Sequence, residues 1–106
     1  MSEVWKDIKG FEGLYAVSNC GRIKSLKRVV ANNKYGGQRV LKEQIKNPLD
    51  NGNGYKYVFL SEKRKRQRFY IHRLVAEHFL ENRQNKKYVN HLDYNKANNA
   101  AINLQW

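Results

Sequence analysis

The sequence predicts an α+β fold: small antiparallel β-hairpins around one central helix, followed by a terminal pair of strands. Three observations predict it. Short runs of β-branched and aromatic residues alternate with turns rich in Gly and Asn. Only residues 72–81 carry apolar side chains at helical spacing. At 106 residues the chain makes one small domain, or two interlocked subdomains.

Taken in order, residues 4–8 alternate loosely and Gly10-Phe11-Glu12-Gly13 is a turn. Leu14-Tyr15-Ala16-Val17 reads as a strand, and Arg22-Ile23-Lys24-Ser25-Leu26 alternates polar and apolar, so a hairpin is expected around residues 19–21. Val29-Val30 and Arg39-Val40-Leu41 flank Tyr35-Gly36-Gly37 as a second, weaker hairpin. Pro48 and Asn51-Gly52-Asn53-Gly54 break the chain and set the expected boundary between a segment 1–50 and a segment 51–106. Beyond it, residues 55–60 form a strand, 62–66 a turn and 68–71 the return strand. In the helix that follows, Ile71, Leu74, Val75, His78 and Phe79 share one face, and Asn82 is its stop.

Composition narrows the partners. Apolar residues make up 41% of the chain, with seven Tyr, four Phe and two Trp, enough for a modest core and too many for a disordered chain. Trp5 and Trp106 are expected in that core. Lys and Arg number 21 against nine acids, and the excess is even: ten to five in residues 1–50, eleven to four in 51–106. A uniformly basic surface of net charge +12 points to a polyanion, with nucleic acid first; the plain alternative is a well-solvated surface. Cys20 is the only cysteine, which excludes an internal disulfide framework and a thiolate zinc site. The N-terminal residues are too polar for a signal peptide and no stretch approaches a membrane span, so the expected setting is a reducing cytoplasm without membrane attachment.

Several residues carry candidate chemistry. Lys63, Arg64, Lys65, Arg66 and Arg68 project five positive charges from one hairpin tip, suited to phosphate contacts that hold nucleic acid without reading its sequence. A solvated turn is the other reading. His72 and His78 are six residues apart, whereas chelation along a helix wants three or four, so a two-histidine zinc site is excluded. His78 is expected at the core edge with a hydrogen-bonded ring. His72, with Arg73, either touches a phosphate near the helix N-terminus or joins strand to helix.

The last 19 residues are the most informative. They read as a strand that delivers Asn90-His91 to a turn, a loop tied by the amides of Asn95, Asn98, Asn99 and Asn103, and a return strand over residues 102–106. A lone strand-end histidine is usually structural; the amide-rich loop behind this one favours function. Such an imidazole can act as a general base, and an oxygen-bearing neighbour can help hold a hard cation. Asp93 caps the turn or faces the site.

These pieces resemble the HNH endonucleases of the phage and intron-homing type. Residues 5–23, from Trp5-Lys6-Asp7-Ile8 to Asn19-Cys20-Gly21-Arg22-Ile23, are similar to the nuclease-associated modular segment that precedes such domains. His72-Arg73-Leu74-Val75-Ala76 is similar to the family's helix start, and Asn90-His91-Leu92-Asp93, Asn98-Asn99 and Asn103-Leu104-Gln105-Trp106 to the nuclease motif. The resemblance implies a ββα-metal nuclease that hydrolyses phosphodiesters of double-stranded DNA with one divalent cation, usually Mg²⁺, and no small-molecule cofactor. Carried over by position, His91 is the general base, Asn90 the first metal-ligand position and Asn103 the brace of the loop. Two departures stand out: Tyr94 occupies a position commonly Gly, and the family's motif continues past Trp106 into a helix with the last metal ligand, so the metal site is expected to be incomplete. A DNA-binding remnant without catalysis and a basic RNA-binding protein are the rival readings.

Overall fold

The structure, a computed structural model, describes residues 2–32 and 36–106. Its first sheet has the order β1-β2-β3-β6, all antiparallel, from β1 (Trp5–Asp7), β2 (Tyr15–Ser18), β3 (Ile23–Ser25) and β6 (Gln44–Ile45). The expected hairpin joins β2 to β3. Its turn closes on Ser18, whose buried Oγ accepts the backbone N–H groups of Cys20 and Arg22 at 3.2 and 3.1 Å. Between β3 and β6 the chain runs out as an exposed ribbon of β4 (Arg28–Asn32) and β5 (Gly37–Leu41), paired over five residues. The ribbon matches the second expected hairpin; Tyr35, expected between its strands, lies outside the described residues.

After Pro48, a second sheet has the order β7-β8-β9: β7 (Leu49–Asp50), β8 (Lys56–Glu62) and β9 (Lys65–Tyr70). Pairing between β8 and β9 continues as far as Glu62↔Lys65. The turn expected over residues 62–66 is therefore only Lys63-Arg64, with φ of 49° and 67°. Two residues in the left-handed region form a type I′ turn, whose twist matches that of the strands it joins. Lys65, Arg66 and Arg68 consequently sit on a strand and not at a tip.

Helix α1 (Ile71–Phe79) starts directly from β9 and buries Ile71, Leu74, Val75 and Ala76. It stops two residues before the expected Glu81: Leu80 is already extended, and its N–H closes the last turn on the Ala76 carbonyl. Asn82 then holds its own loop, its side chain bonding both the N–H and the carbonyl of Lys86. His78 stands where the helical pattern put it, half-buried at the core edge. Its Nδ1 donates to the Leu74 carbonyl at 2.7 Å and its Nε2 accepts from the Lys9 N–H at 3.0 Å, so the helix end is tied to the loop after β1.

One core joins the two halves of the chain. Ile8, just after β1, and Val17 and Ile23 of the first sheet share a cluster with Val58 and Leu60 of the second and with Leu74 and Val75 of the helix. Neither tryptophan belongs to it. Trp5 is half-buried beneath Lys24 Nζ, 4.2 Å above its ring, and Trp106 lies 5.6 Å from the Arg73 guanidinium. Both indoles serve as cation platforms at the edge, which a small core with few layers leaves to its largest side chains. The chain ends in β10 (Asn90–His91) and β11 (Leu104–Gln105), antiparallel, with Leu104 in the core. A short 3₁₀ turn, Ala101–Asn103, occupies the start of what the sequence suggested was strand, and leaves Ile102 outside.

Candidate active site

The loop between β10 and β11 is built from side-chain amides around Asp93. The carboxylate accepts the Asn95 N–H at 2.8 Å, the Asn98 Nδ2 at 2.9 Å and the Asn103 Nδ2 at 2.8 Å. These bonds, led by that from Asn98, hold its carboxyl below the usual carboxylate range. Asn103 also gives Nδ2 to the Asn98 carbonyl and accepts the Asp93 N–H on Oδ1. One side chain thus spans the loop in both directions. Asp93 is a cap, turned away from the cleft; Asn103 is the brace the sequence suggested.

That frame presents His91. Residues Tyr55, Val89, Asn90, Leu92, Tyr94 and Lys96 line with it a cleft of about 420 Å³. His91 is 8% exposed, yet it forms part of the cleft wall and is not a member of the apolar core cluster. Its Nε2 lies 2.8 Å from Asn99 Oδ1, and the Asn99 side chain is buried too. An amide oxygen only accepts, so Nε2 carries the hydrogen and the lone pair of a neutral ring is on Nδ1. Asn99 therefore selects which nitrogen can take a proton. In the sequence it is one of four loop asparagines, and nothing in composition or spacing marks which of the four reaches the histidine.

His72 is a second imidazole in the same neighbourhood, its ring centroid 5.3 Å from that of His91 and 5.3 Å from Tyr55. Its Nδ1 is buried without a hydrogen-bond partner. Burial, then the electrostatic influence of neighbouring His91 and Arg73, push its pKa down to about 4. At neutral pH it is an uncharged ring, so it places no second cation beside a proton accepted by His91. Together with Asn51, Tyr70, Arg73, Tyr88 and Asn90 it lines an adjoining cleft of about 410 Å³. The two clefts share Tyr55, Val89 and Asn90.

The remaining expected residues are distributed as follows. Asn90 is exposed at the saddle between the clefts. Arg73, at the start of α1, gives Nη1 to the Lys87 carbonyl at 2.7 Å and lies 3.7 Å from Glu77, so its guanidinium ties the helix to the chain entering β10. Lys63, Arg64, Lys65, Arg66 and Arg68 are all exposed on the β8–β9 hairpin. Lys96, not singled out in the sequence, crosses the first cleft: its Nζ donates to the Asn53 carbonyl at 3.0 Å and sits 4.7 Å over the Tyr55 ring.

The donor set tests the expected divalent cation. Among the described residues no three His, Cys, Asp or Glu side chains converge. Asn90 offers a neutral amide at the saddle, and the nearest carboxylate in the loop, Asp93, is taken up by three amide donors. Mg²⁺ favours at least one carboxylate among its protein ligands. The residues present do not by themselves form such a site. Hollows of similar size near Glu81 and Trp106 have no histidine in their walls.

Known proteins align with this chain over most of its length. The NUMOD4 motif matches residues 3–61. The DNA endonuclease I-HmuI of Bacillus phage SP01 is 43% identical over 102 residues, which are 96% of this chain and 51% of that protein. The uncharacterized HNH endonuclease L247 of Acanthamoeba polyphaga mimivirus is 38% identical over 110 residues, 99% of this chain and 24% of that protein. A solved structure, described as DNA binding and cleavage by the HNH homing endonuclease I-HmuI, matches with a TM-score of 0.75 at 38% identity and covers 97% of this chain and 51% of its own. The chain spans about half the length of the phage relative and a quarter of the viral one. With the motif over more than half of its residues, this chain belongs to the NUMOD4 motif family, and it is similar along nearly its whole length to part of phage and viral HNH endonucleases.

Proposed function

We propose that this chain binds double-stranded DNA and supplies the water-activating base of an HNH endonuclease, with His91 as that base. The observation that carries the reading is the 2.8 Å bond from His91 Nε2 to Asn99 Oδ1 on the wall of an open cleft. It orients the ring and leaves Nδ1 as the acceptor for a proton from water, whose oxygen bonds to phosphorus as the bond to the 3′ oxygen breaks, leaving a 5′-phosphate and a 3′-hydroxyl. Neutral His72, beside it, does not oppose the imidazolium that results. Asn103 acts through the loop as a positioning residue. Lys63, Arg64, Lys65, Arg66, Arg68 and Arg73 hold DNA through its phosphates, Arg73 from the wall of the cleft it shares with His72. In this division of labour residues 1–50 are the nuclease-associated DNA-contact segment and 51–106 the cleaving part, acting on DNA in the cytoplasm of a host cell.

A divalent cation, Mg²⁺ in the first instance, would stabilise charge on the phosphate when bound. Asn90 is the residue of this chain placed to contribute an oxygen to it. The poverty of donors at the saddle favours a second reading, DNA binding without cleavage. A plasmid-nicking assay in Mg²⁺ decides between them. Nicking that falls by about 10²–10⁴ in His91→Ala, the range for loss of a general base, supports the first reading. Equal nicking by both proteins overturns the assignment of His91, and salt-sensitive binding without any nicking supports the second.

A further inference from the structure

The β7-β8-β9 sheet has an outward face on which two of the phosphate-binding arginines, Arg66 and Arg68, stand. Directly paired residues of antiparallel strands point the same way, so Ser61 and Arg66, Phe59 and Arg68, Tyr57 and Tyr70 share one side. Val58 and Leu60, between them in sequence, are buried on the other side. Aromatic side chains on a solvent-facing sheet surface are normally met by another element. Here they are met by arginines: the Arg66 guanidinium is 4.0 Å from the Phe59 ring centroid and that of Arg68 is 4.9 Å from Tyr57.

The series does not stop at the arginines. The Tyr57 ring is 5.9 Å from Tyr70, Tyr70 is 6.4 Å from Tyr55, and Tyr55 is 6.0 Å from His91. Tyr70 is also a wall of the cleft that shares Tyr55 and Asn90 with the His91 cleft. Sheet face and catalytic cleft are thus one continuous surface, aromatic beneath and cationic above.

We infer that this face is the track on which one arm of the DNA duplex lies, running from the β8–β9 turn to His91 on one side of the cut. A guanidinium resting on a ring keeps its N–H donors in the plane of the sheet surface and loses little freedom on meeting a phosphate. Summing strand rise and ring spacings, the contour of the track from Arg66 to His91 is at most roughly 25 Å, so it spans no more than about seven base pairs at ~3.4 Å each. The contacts go to phosphates, so the track positions DNA without selecting its sequence. This inference rests on the DNA-binding reading above.

The test uses the 106-residue chain and a short duplex of arbitrary sequence. NMR shifts are expected to move in one connected stripe: Ser61, Arg66, Arg68, the Tyr57, Phe59 and Tyr70 rings, then Tyr55 and His91. The Arg66→Ala, Arg68→Ala double variant is expected to lower the slope of log affinity against log salt by about 2, at ~0.9 per phosphate contact. The Tyr57→Leu, Phe59→Leu double variant keeps both charges, so its slope stays while its affinity falls severalfold; thermal melting checks that both variants fold. Shifts confined to another face, or an unchanged slope in the arginine variant, overturn the track while leaving DNA binding intact. Failure of the unsubstituted chain to bind any duplex overturns the DNA reading together with the track.

Discussion

Gly21 lies against Asn99 so closely that no side chain fits between them. A Cβ on Gly21 would come within 2.8 Å of the Asn99 carbonyl carbon and 2.9 Å of its oxygen, and φ at Gly21 is +89°. Next to it the Ala101 N–H donates to the Asn19 carbonyl at 2.8 Å. The β2–β3 turn in the NUMOD4 region is therefore the back wall of the residue that orients His91.

Gly21→Ala should damage both stability and the site. A left-handed φ and a backbone clash together are expected to lower stability by about 1–3 kcal/mol. Thermal melting measures the first effect. Since the displaced group is the Asn99 backbone, DNA nicking should fall further than the unfolded fraction explains. Unaltered melting and nicking would show that the loop yields freely.

Asn99→Ala leaves His91 free to take either tautomer and to rotate. Loss of an orienting hydrogen bond of this kind costs about 10- to 100-fold in activity. Single-turnover nicking should fall by that amount, with duplex affinity close to that of the unsubstituted protein. An affinity loss as large as the rate loss would mean that Asn99 holds the fold and not the base.

The Lys63-Arg64 turn sets stability against binding. Both residues occupy a backbone region suited to Asn-Gly. Replacing them, as Lys63→Asn with Arg64→Gly, should raise stability by about 0.5–1 kcal/mol by removing strain. The same change removes two charges, so the salt slope of DNA binding should fall by up to about 2. Melting and a salt titration read the two effects separately.

Stability should fall on mild acidification. The folded pKa of His72 is about 4 against 6.5 for an unperturbed ring, so between these values the unfolded chain binds more protons. The contribution is full above pH 6.5 and is lost progressively toward pH 4. Asp93, held below its ordinary 3.8, adds a loss that sets in only under more acidic conditions. The melting temperature should therefore decline from pH 7 to pH 4, and His72→Phe should flatten that decline. A flat profile in the unsubstituted chain would contradict the burial of this ring.

What the residues disclose in advance follows from range in sequence. Alternation and turn chemistry are local, so the β2–β3 hairpin, the β4–β5 ribbon, strands β8 and β9 and helix α1 are readable, as are the core-edge place of His78 and the brace made by Asn103. The two-residue strands β6 and β7 carry no pattern of their own and exist because a longer strand pairs with them. The Asn99–His91 bond, the Gly21–Asn99 contact and the partnership of His72 with His91 join distant or equivalent-looking residues. Only the fold brings each pair together. The tryptophans mislead for a related reason: size suggests interior, while neighbouring cations provide a cover at the rim.

The interleaved interior has a practical corollary for anyone recombining these proteins. A chimera spliced near residue 50 would strip Val58, Leu60 and Leu74 of the neighbours contributed by Ile8, Val17 and Ile23. It would also remove the glycine turn behind Asn99. A donor front half must therefore match the recipient along that seam, and a crossover in the exposed β4–β5 ribbon divides the same core residues as one near residue 50, so it is subject to the same demand.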